Sequence, residues 1–486
     1  MTEVKQVETM EPTPLFIGGK SALSSGPATE VIEAATGLVI GVAGTAGLSD
    51  IDAAVAAARA AQPAWSALPA EERAEHLERF AAALAYHAEA TATLVTRENG
   101  MPITLSHNAS GLVPAGLLAM YAQQIRSIDL ERTQPSQAGR TTVRRVPVGV
   151  VAAIAPWNYP QTLAMMKIAP ALAAGCTVVF KAALETALDA QVFAVAAVEA
   201  GLPAGVLNIM PGGVEASRHL VSHPGIDKVA FTGSTPVGQA IAEACGRLLR
   251  PVTLELGGKS AAIVLDDADL DTLAEGLYDA CFPNNGQTCY ANTRLLVPAS
   301  CYDQVVDLVT AVVADYTVGD PLDPATQIGP MVTAAHRDRV LGHIARGKAD
   351  GARVTTGGYP VADRDGFFVK PTVFADVDNA DAIAQQEIFG PVLSIIRYDG
   401  GDAAALTLAN ASDFGLAGTV WSADEERAMS VATRIHTGTV GINHYALDLG
   451  APFGGVKASG YGRELGPEGL DAYLTYQSVY QLAQPR

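Results

Sequence analysis

The stretch VGVVAAIAPWNYPQTLAMMKIAPALAAGCTVVFKA, residues 148–182, places two short apolar runs on either side of a longer apolar segment. The runs 148–156 and 176–182 are typical of buried strands, and the segment MMKIAPALAAG between them is typical of a helix. The same alternation continues along the chain in the helix ALDAQVFAVAAVEAG, the strands GVLNIMPG and DKVAFTGS, and the helix TPVGQAIAEACGRLL. We therefore predict a parallel α/β sheet with both faces covered, which binds ligands at the carboxyl ends of its strands.

A second α/β series begins at VTLELGGKSAAIVLDD, residues 252–267. It includes a helix in residues 300–316 and strands near VLSIIRY and GTVWS. Upstream, Ser49 and Asp52 have the spacing of a capping box ahead of an alanine-rich helix. A second helix is predicted over residues 70–90, with Pro63 and Pro69 breaking the pattern between the two.

Two further segments read as isolated strands. They are TTVRRVPV, residues 141–148, which resembles an edge strand, and the alternating, aromatic LDAYLTYQSVYQLAQ, residues 470–484. Because unpaired strand edges are sticky, both predict pairing between subunits. We expect a homodimer or homotetramer.

The composition limits the class of protein. A chain of 486 residues with 49% hydrophobic and 17% charged residues is expected to form about two or three domains, at roughly 150 residues each. The formal net charge of −19 would repel phosphate backbones and anionic lipid, so nucleic acid and a membrane surface are not expected partners. The sequence has no uncharged apolar stretch of about 18 residues, so no membrane span is predicted.

The cysteines and the N-terminus indicate the compartment. The five cysteines are odd in number and lack C-x-x-C spacing, which argues against a disulfide framework and against a zinc site. No metal is predicted. Residues 1–14 read as a flexible, polar tail without the features of a signal or transit peptide. A cytoplasmic location is expected.

Two local motifs point to chemistry but do not decide it alone. No G-x-G-x-x-G follows a strand, but FTGSTPVG, residues 231–238, joins a strand to a helix start that could hold a phosphate. In NNGQTC, residues 284–289, small polar residues surround Cys289. This thiol is either a nucleophile with nearby oxyanion donors or a cysteine buried in a tight turn.

Six segments taken together resemble the NAD(P)-dependent aldehyde dehydrogenase superfamily, from about Phe16 to the C-terminus. They are, in order, PWNYP, FTGST, LELGGKS, NNGQTC, EIFGPV and PFGGVKASGYGRE, starting at residues 156, 231, 254, 284, 387 and 452. The resemblance implies a Rossmann-like cofactor domain, an α/β catalytic domain and a small β oligomerisation extension. The implied limits are 15–125 and 147–256 for the cofactor domain, 257–448 for the catalytic domain, and 126–146 and 465–486 for the oligomerisation strands.

The resemblance also implies the catalytic residues. Cys289 matches the thiol that attacks the aldehyde, with the oxyanion held by the Asn158 amide and the Cys289 backbone N–H. Hydride then leaves to the nicotinamide, and Glu255 activates the water that hydrolyses the thioester. Lys167 and Glu464 match a proton-relay pair, although a surface salt bridge is the alternative for either residue.

For the cofactor, the resemblance implies NAD, with NADP as an alternative. The matching positions are Pro156, Trp157, Lys181, Phe231, Thr232, Gly233, Ser234, Gly238, Leu256, Glu387 and Phe389. The family commonly has a glutamate three residues after the lysine, where it accepts a hydrogen bond from the adenine ribose and repels a 2′-phosphate. Here that position is Leu184, and Glu185 is one residue further on.

The positions that match the aldehyde tunnel are mostly aromatic or aliphatic. They are Tyr159, Leu163, Met166, Phe282, Thr288, Tyr290, Tyr445, Leu447 and Phe453, and some of them could instead pack the core. Since none is a cation that could pair with a carboxylate, we expect an uncharged, apolar aldehyde: medium-chain aliphatic, terpenoid or aromatic. The alternatives are a CoA-acylating or semialdehyde dehydrogenase of the same superfamily, a non-catalytic structural protein, and a cysteine hydrolase.

Overall fold

The computed structural model describes residues 10–361 and 364–482. In that part of the chain the strands are β1 (Leu15–Ile17), β2 (Lys20–Ala22), β3 (Ala28–Ile32), β4 (Val39–Gly44), β5 (Glu131–Ser136), β6 (Gly139–Pro147), β7 (Val150–Ile154), β8 (Thr177–Ala182), β9 (Leu207–Pro211), β10 (Lys228–Thr232), β11 (Val252–Glu255), β12 (Ala261–Val264), β13 (Arg294–Pro298), β14 (Arg353–Thr356), β15 (Thr372–Ala375), β16 (Val392–Tyr398), β17 (Phe414–Gly415), β18 (Gly418–Trp421), β19 (Gly441–Ile442), β20 (Val456–Lys457), β21 (Gly460–Tyr461) and β22 (Leu474–Leu482).

The α-helices are α1 (Leu48–Ala67), α2 (Ala70–Tyr86), α3 (Ala88–Asn99), α4 (Ile103–Ser106), α5 (Val113–Ser127), α6 (Pro160–Ala174), α7 (Gln191–Glu199), α8 (Val214–Ser222), α9 (Thr235–Arg247), α10 (Leu270–Cys281), α11 (Tyr302–Ala314), α12 (Ala334–Ala349), α13 (Ala382–Gln385), α14 (Gly401–Asn410), α15 (Glu425–Ala432) and α16 (Gly466–Asp471). A π-helical turn covers His107–Leu112 and a 3₁₀ turn covers Pro283–Gly286. None of the helices among these residues is both long enough and apolar enough to span a bilayer.

The first sheet has eight strands in the order β2-β1-β9-β8-β7-β10-β11-β21. The five central strands are parallel, and they are β9, β8, β7, β10 and β11 in sheet order. Strands β1, β2 and β21 join antiparallel at the edges. Every residue of β7, β8, β9 and β10 is buried, which explains why these strands read as continuous apolar runs. The predicted parallel sheet is confirmed.

The second sheet has seven strands in the order β14-β15-β16-β13-β12-β18-β19, parallel except for β14. The predicted domain limits leave the segment 449–464 unassigned. Its β20 pairs with β17 in a separate two-stranded sheet, and its β21 extends the first sheet by pairing with β11. The catalytic candidates lie where these two sheets approach each other.

The two predicted isolated strands pair with each other inside one chain. β22 and β6 form an antiparallel ladder from Leu474↔Pro147 to Leu482↔Gly139, and β5 pairs with the other side of β6. The prediction that residues 141–148 form an edge strand is therefore wrong, because the neighbouring β5 covers that edge. β22 and β5 are the edges of this three-stranded sheet, and nearly all of their residues are exposed.

The N-terminal region differs from the sequence predictions in three details. Asp50, not the Ser49–Asp52 pair, caps α1, since its carboxylate accepts from the Gly47 N–H at 2.9 Å. Pro63 lies inside α1, whose last turn is anchored by the buried Trp65. Thr13, which falls in the predicted tail, bridges to Ala43, while residues 1–9 lie outside the described residues.

The helix predicted over residues 70–90 is two helices, α2 and α3. They meet at His87, whose backbone N–H closes α2 and whose backbone carbonyl accepts from Thr91 in the first turn of α3. A continuous alanine-rich pattern does not reveal such a junction, because both helices bury one face of the same periodicity.

Candidate active site

Cys289 follows a sharp turn built from the polar run NNGQTC. Asn284, Asn285 and Gly286 have φ angles of 51°, 62° and 74°, a left-handed conformation that asparagine and glycine tolerate best. The Asn285 amide donates to the carbonyls of Gly100 and Pro330, at 2.8 and 3.0 Å, and accepts from the Gly329 N–H. The polar residues around the thiol therefore satisfy buried backbone groups that hold the loop in place.

The thiol lines a cleft of about 390 Å³ between the two sheets. Burial, together with the nearby carboxylates of Glu387 and Glu255, raises the pKa of Cys289 to about 12. Without a positive charge nearby, the protonated thiol is favoured in this setting. A cation bound in the cleft would lower the pKa toward that of a reactive thiolate.

Asn158 lies just after β7 and is 2% exposed. Its Nδ2 donates to the Gln287 carbonyl at 3.0 Å, so the amide sits two residues from Cys289 and retains a second N–H for a ligand. Asn99, which the sequence analysis missed, fixes the local backbone by donating to the carbonyls of Trp157 and Asn158. Its only sequence signal is an Asn-Gly helix end, which indicates a boundary rather than a site.

Glu255 ends β11 and is 2% exposed. Neither carboxylate oxygen accepts a hydrogen bond from any residue in the described part of the chain. Burial raises its pKa well above the usual range, and the charge of Glu464 raises it further, while Lys167 opposes the rise. A carboxylate with an elevated pKa and open acceptor sites is suited to taking a proton from water.

Lys167 and Glu464 form a buried ion pair. The Lys167 Nζ lies 2.8 Å from a Glu464 oxygen, and the two side chains are 0% and 2% exposed. The alternative of a surface salt bridge is therefore wrong. Lys167 also donates to the Thr232 hydroxyl at 2.5 Å, and Thr232 is the register partner of Glu255 on the adjacent strand.

Most of the predicted cofactor positions line this cleft. They are Pro156, Trp157, Thr232, Gly233, Ser234, Leu256, Glu387 and Phe389. Phe231 and Gly238 do not line the cleft but contact residues that do. A Cβ at Gly233 would collide with the Phe231 ring, and a Cβ at Gly238 would collide with Leu256. Both glycines therefore lack a side chain for packing reasons as well as for ligand approach.

The cleft combines groups that suit a dinucleotide. Ser234 caps α9 without a side-chain hydrogen bond, which leaves the helix N–H groups available to an anion. The Glu387 carboxylate accepts from the Gly258 N–H at 2.9 Å and can accept from a ribose hydroxyl. Lys181, buried at the end of β8, has its pKa lowered to about 8 by burial. The residues present fit NAD.

Seven residues of the cleft were not predicted as part of the site, and three of them are titratable. The titratable residues are Glu185, His336 and Arg339. The His336 ring packs edge-on against Trp157 and Phe389, at 5.3 and 6.0 Å, and its Nε2 hydrogen-bonds the Phe389 carbonyl at 2.7 Å. Phe389 has φ 60°, a strained value for a bulky residue, and this histidine braces it. Nothing in the sequence around His336 signals this role.

The predicted aldehyde positions divide into a wall beside Cys289 and a group in the core. Tyr290 stacks on Tyr445 at 4.8 Å, and Phe453 meets Tyr290 edge-on at 6.4 Å. The Tyr159 hydroxyl hydrogen-bonds the Thr288 hydroxyl at 2.9 Å. A second cavity, of about 810 Å³, is lined by Tyr445, Leu447 and Phe453 among residues 423–453.

Phe282, Met166 and Leu163 are buried, and their place in the aldehyde tunnel stays a prediction. Phe282 is 0% exposed and packs against Tyr316 at 5.6 Å, within the core of the second sheet. Met166 and Leu163, on α6, are 1% and 7% exposed in the core of the first sheet. These side chains line neither cavity, because the helices that carry them bury those faces against the sheets.

Away from the cleft, Asp52, His219 and His223 come together on α1 and at the end of α8. Asp52 lies 2.5 Å from the His219 Nε2 and 3.4 Å from the His223 Nε2. The Gly225 N–H donates to the His223 Nδ1, so this ring holds its proton on Nε2 and presents a donor to Asp52. The group is arranged as a hydrogen-bonded charge cluster rather than as a set of metal ligands.

Comparisons with known proteins identify the family of this chain. The profile described as "Aldehyde dehydrogenase family" matches residues 22–479. A geranial dehydrogenase of Castellaniella defragrans is 56% identical over 419 residues, covering 86% of this chain and 87% of the relative. A phenylacetaldehyde dehydrogenase of Pseudomonas fluorescens is 42% identical, covering 85% of this chain and 84% of the relative.

A solved structure matches over nearly the whole chain. The crystal structure of a Mycobacterium tuberculosis aldehyde dehydrogenase complexed with NAD⁺ superposes with a TM-score of 0.95 at 44% identity, covering 98% of this chain and all of that one. The chain belongs to the aldehyde dehydrogenase family. It is therefore an NAD(P)-dependent oxidoreductase that acts on aldehydes.

Proposed function

We propose that this enzyme oxidises an uncharged, apolar aldehyde to its carboxylic acid, with Cys289 as the nucleophile and Glu255 as the hydrolytic base. One observation carries the proposal: Cys289 stands where the cofactor cleft meets the aromatic wall of Tyr290, Tyr445 and Phe453. A thiol in that position can reach an aldehyde held by the wall while the carbonyl carbon faces the cleft.

The residues have distinct roles in this reaction. The Cys289 thiolate adds to the carbonyl carbon, and the Asn158 Nδ2–H and the Cys289 N–H stabilise the oxyanion that forms. Bound NAD supplies the hydride acceptor. The thioester left on Cys289 is then attacked by a water molecule whose proton passes to Glu255.

Glu255 distinguishes this reaction from its nearest alternatives. A CoA-acylating enzyme transfers the acyl group to a thiol and has no need of a carboxylate that activates water. The buried Glu255, with both oxygens unpartnered among the described residues, supports hydrolysis. A non-catalytic protein would gain nothing from leaving a buried carboxyl group unsatisfied.

The aromatic wall indicates the substrate class. The predicted aldehyde positions contain no lysine or arginine that could pair with a semialdehyde carboxylate. The nearly parallel Tyr290–Tyr445 stack, with 26° between the rings, offers flat apolar surface to a conjugated or aromatic chain. The relatives named for geranial and phenylacetaldehyde support terpenoid and aromatic aldehydes.

The assembly and the location are also proposals. The exposed β22 carries Tyr476, Val479, Tyr480 and Leu482 on the free edge of a sheet, and we propose that it joins a second copy in a homodimer or homotetramer. Light scattering that finds only monomer at micromolar concentration would refute this. A reducing, cytoplasmic location is supported by five cysteines that are all free thiols.

The test of the reaction uses Glu255→Gln mixed with phenylacetaldehyde and NAD. We expect one equivalent of NADH per active site and an acyl adduct on Cys289 by intact-protein mass spectrometry. The Cys289→Ala protein is the matched control and should carry no adduct. Hydrolysis at the wild-type rate in Glu255→Gln would assign the base to another residue.

A further inference from the structure

A second buried lysine lies close to the proposed hydrolytic machinery. Lys228 opens strand β10 and is 3% exposed. Its Nζ donates to the Thr253 hydroxyl at 2.8 Å and lies 5.3 Å from the centre of the Tyr473 ring. Within residues 10–361 and 364–482, no carboxylate comes within 4 Å of this ammonium group. A buried ammonium with one hydroxyl and one ring as neighbours is costly unless a charge further away compensates it.

Strand register places Lys228 on the same face of the sheet as the proposed base. In β10, Lys228 and Thr232 are four residues apart and point to the same side. On the adjacent β11, Thr253 and Glu255 point to that side too, with Thr232 paired to Glu255. Lys228 contacts Thr253, whereas Lys167 contacts both Thr232 and Glu464. Two lysines and two carboxylates therefore share one buried face.

The charges of this group act on one another. Burial lowers the pKa of Lys228 to about 8, against the raising effects of Cys176 and then Glu464. Burial raises the pKa of Glu464, against the lowering effects of Lys167 and then Lys228. The Glu464 carboxylate in turn raises the pKa of Glu255. The charge on Lys228 thus favours the ionised Glu464 that keeps Glu255 basic.

Four further titratable groups near Lys228 or Glu464 are uncharged near neutral pH. Cys176 precedes β8, Cys245 lies on α9, Tyr473 precedes β22 and Tyr121 lies on α5. Burial raises the pKa of all four, that of Cys176 to about 11. Arg463 lowers the pKa of Glu255. None of the four neutral groups can replace the positive charge of Lys228 beside Glu464.

We propose that Lys228 is a positioning residue for hydrolysis of the thioester, because it keeps Glu464 ionised and paired with Lys167. This inference rests on the proposed role of Glu255 as the base. If Lys228 lost its charge, Glu464 would hold a proton more readily and Lys167 would be free to stabilise the Glu255 carboxylate. The pKa of Glu255 would then fall, and Glu255 would become a weaker base.

The test measures hydrolysis of the thioester on its own, as the single-turnover loss of the acyl-enzyme, between pH 5 and 9. In Lys228→Met we expect the acid side of the pH–rate profile to move about one pH unit lower, the equivalent of a tenfold change in proton affinity. The maximal rate should fall by roughly threefold, because only part of a change in base strength appears in the rate. The NADH burst should keep its wild-type rate. Lys228→Arg, which retains the positive charge, should restore both the rate and the profile.

Glu464→Gln separates electrostatic from structural effects. We expect this variant alone to move the acid side of the pH–rate profile to lower pH. Adding Lys228→Met to it should move the profile no further. An unshifted profile in Lys228→Met, or a further shift in the double variant, overturns the proposal. If Lys228→Met does not fold, an unshifted profile in Glu464→Gln overturns it equally. Hydrolysis at the wild-type rate in Glu255→Gln would instead refute the proposed base, and this result is distinguishable from an unshifted pH profile in Lys228→Met.

Discussion

The two sides of Cys289 are built differently. The cofactor side consists of strand ends, a helix start and close-packed glycines, and its polar groups are held by backbone hydrogen bonds such as that from Gly258 to Glu387. The aldehyde side consists of aromatic side chains that contact one another, Tyr290 against Tyr445 and Phe453. Backbone geometry tolerates few substitutions, whereas stacked side chains can change one at a time. We therefore expect changes near the thiol and the cofactor to affect every substrate, and changes in the wall to affect the choice of substrate.

The largest effect should come from the residue that both sides share. Cys289→Ala removes the sulfur that we propose bonds to the aldehyde carbon, so we expect kcat to fall by at least roughly a thousandfold with every aldehyde. NADH formation at saturating NAD measures this. Cys301→Ser is the matched control, since Cys301 is a half-buried thiol outside the cleft. Activity within tenfold of wild type in Cys289→Ala would mean that another group attacks the substrate.

Asn158 tests whether the oxyanion is held from the cofactor side. Asn158→Ala removes the side-chain amide but leaves the Cys289 N–H, and loss of one such donor costs about 3 kcal/mol, or roughly a hundredfold in kcat. The fall should be similar for hexanal and phenylacetaldehyde. Asn108→Ala, at an amide in the π-helical turn, is the control for a general effect of removing an asparagine. A fall confined to one aldehyde would move Asn158 to the substrate wall.

The difference between the cofactor side and the aldehyde side of Cys289 also explains which site residues the sequence could predict. The motif PWNYP predicted Asn158, and LELGGKS predicted Glu255, because strand ends and glycines leave a fixed signature in order along the chain. The buried state of Lys167 and Glu464 was not predicted, since a lysine on α6 and a glutamate almost 300 residues later look like surface residues until tertiary structure pairs them.

The packing of residues on the aldehyde side was not predicted for the same reason. Phe282 matched a tunnel position but fills the core against Tyr316, and the choice between those roles depends on the rotation of one helix end. His336 braces Phe389 across 53 residues of chain without any local pattern. A single sequence indicates which residues are apolar, but it does not indicate which apolar surfaces remain open to a ligand.

Glu185 provides a smaller and more selective change on the cofactor side. It lines the cleft beside Lys181, whereas Leu184 points toward Gly213, so the carboxylate is one residue later than the family pattern but still available to a ribose. We expect Glu185→Gln to raise the ratio of kcat/KM with NADP to kcat/KM with NAD by about tenfold, because repulsion of a 2′-phosphate is removed. Glu75→Gln, an equal charge change on the exposed face of α2, should leave the ratio unchanged. An unchanged ratio in Glu185→Gln would remove this carboxylate from cofactor selection.

The smallest expected effect falls on the aromatic wall. Tyr445→Ala removes the ring that stacks on Tyr290 and, with it, an aromatic surface for the substrate. An aromatic contact between ring and substrate contributes about 1 kcal/mol beyond its buried area, equivalent to roughly fivefold in kcat/KM. A flat, conjugated substrate should lose this contribution, whereas hexanal should lose less because a flexible chain can follow the enlarged space. Measuring kcat/KM for citral, phenylacetaldehyde and hexanal in parallel gives the comparison, with Tyr86→Ala, at an 83% exposed tyrosine, as the control. Equal losses for all three aldehydes would show that Tyr445 supports the loop rather than selecting the substrate, and the distinction between the two sides of Cys289 would then fail at this residue.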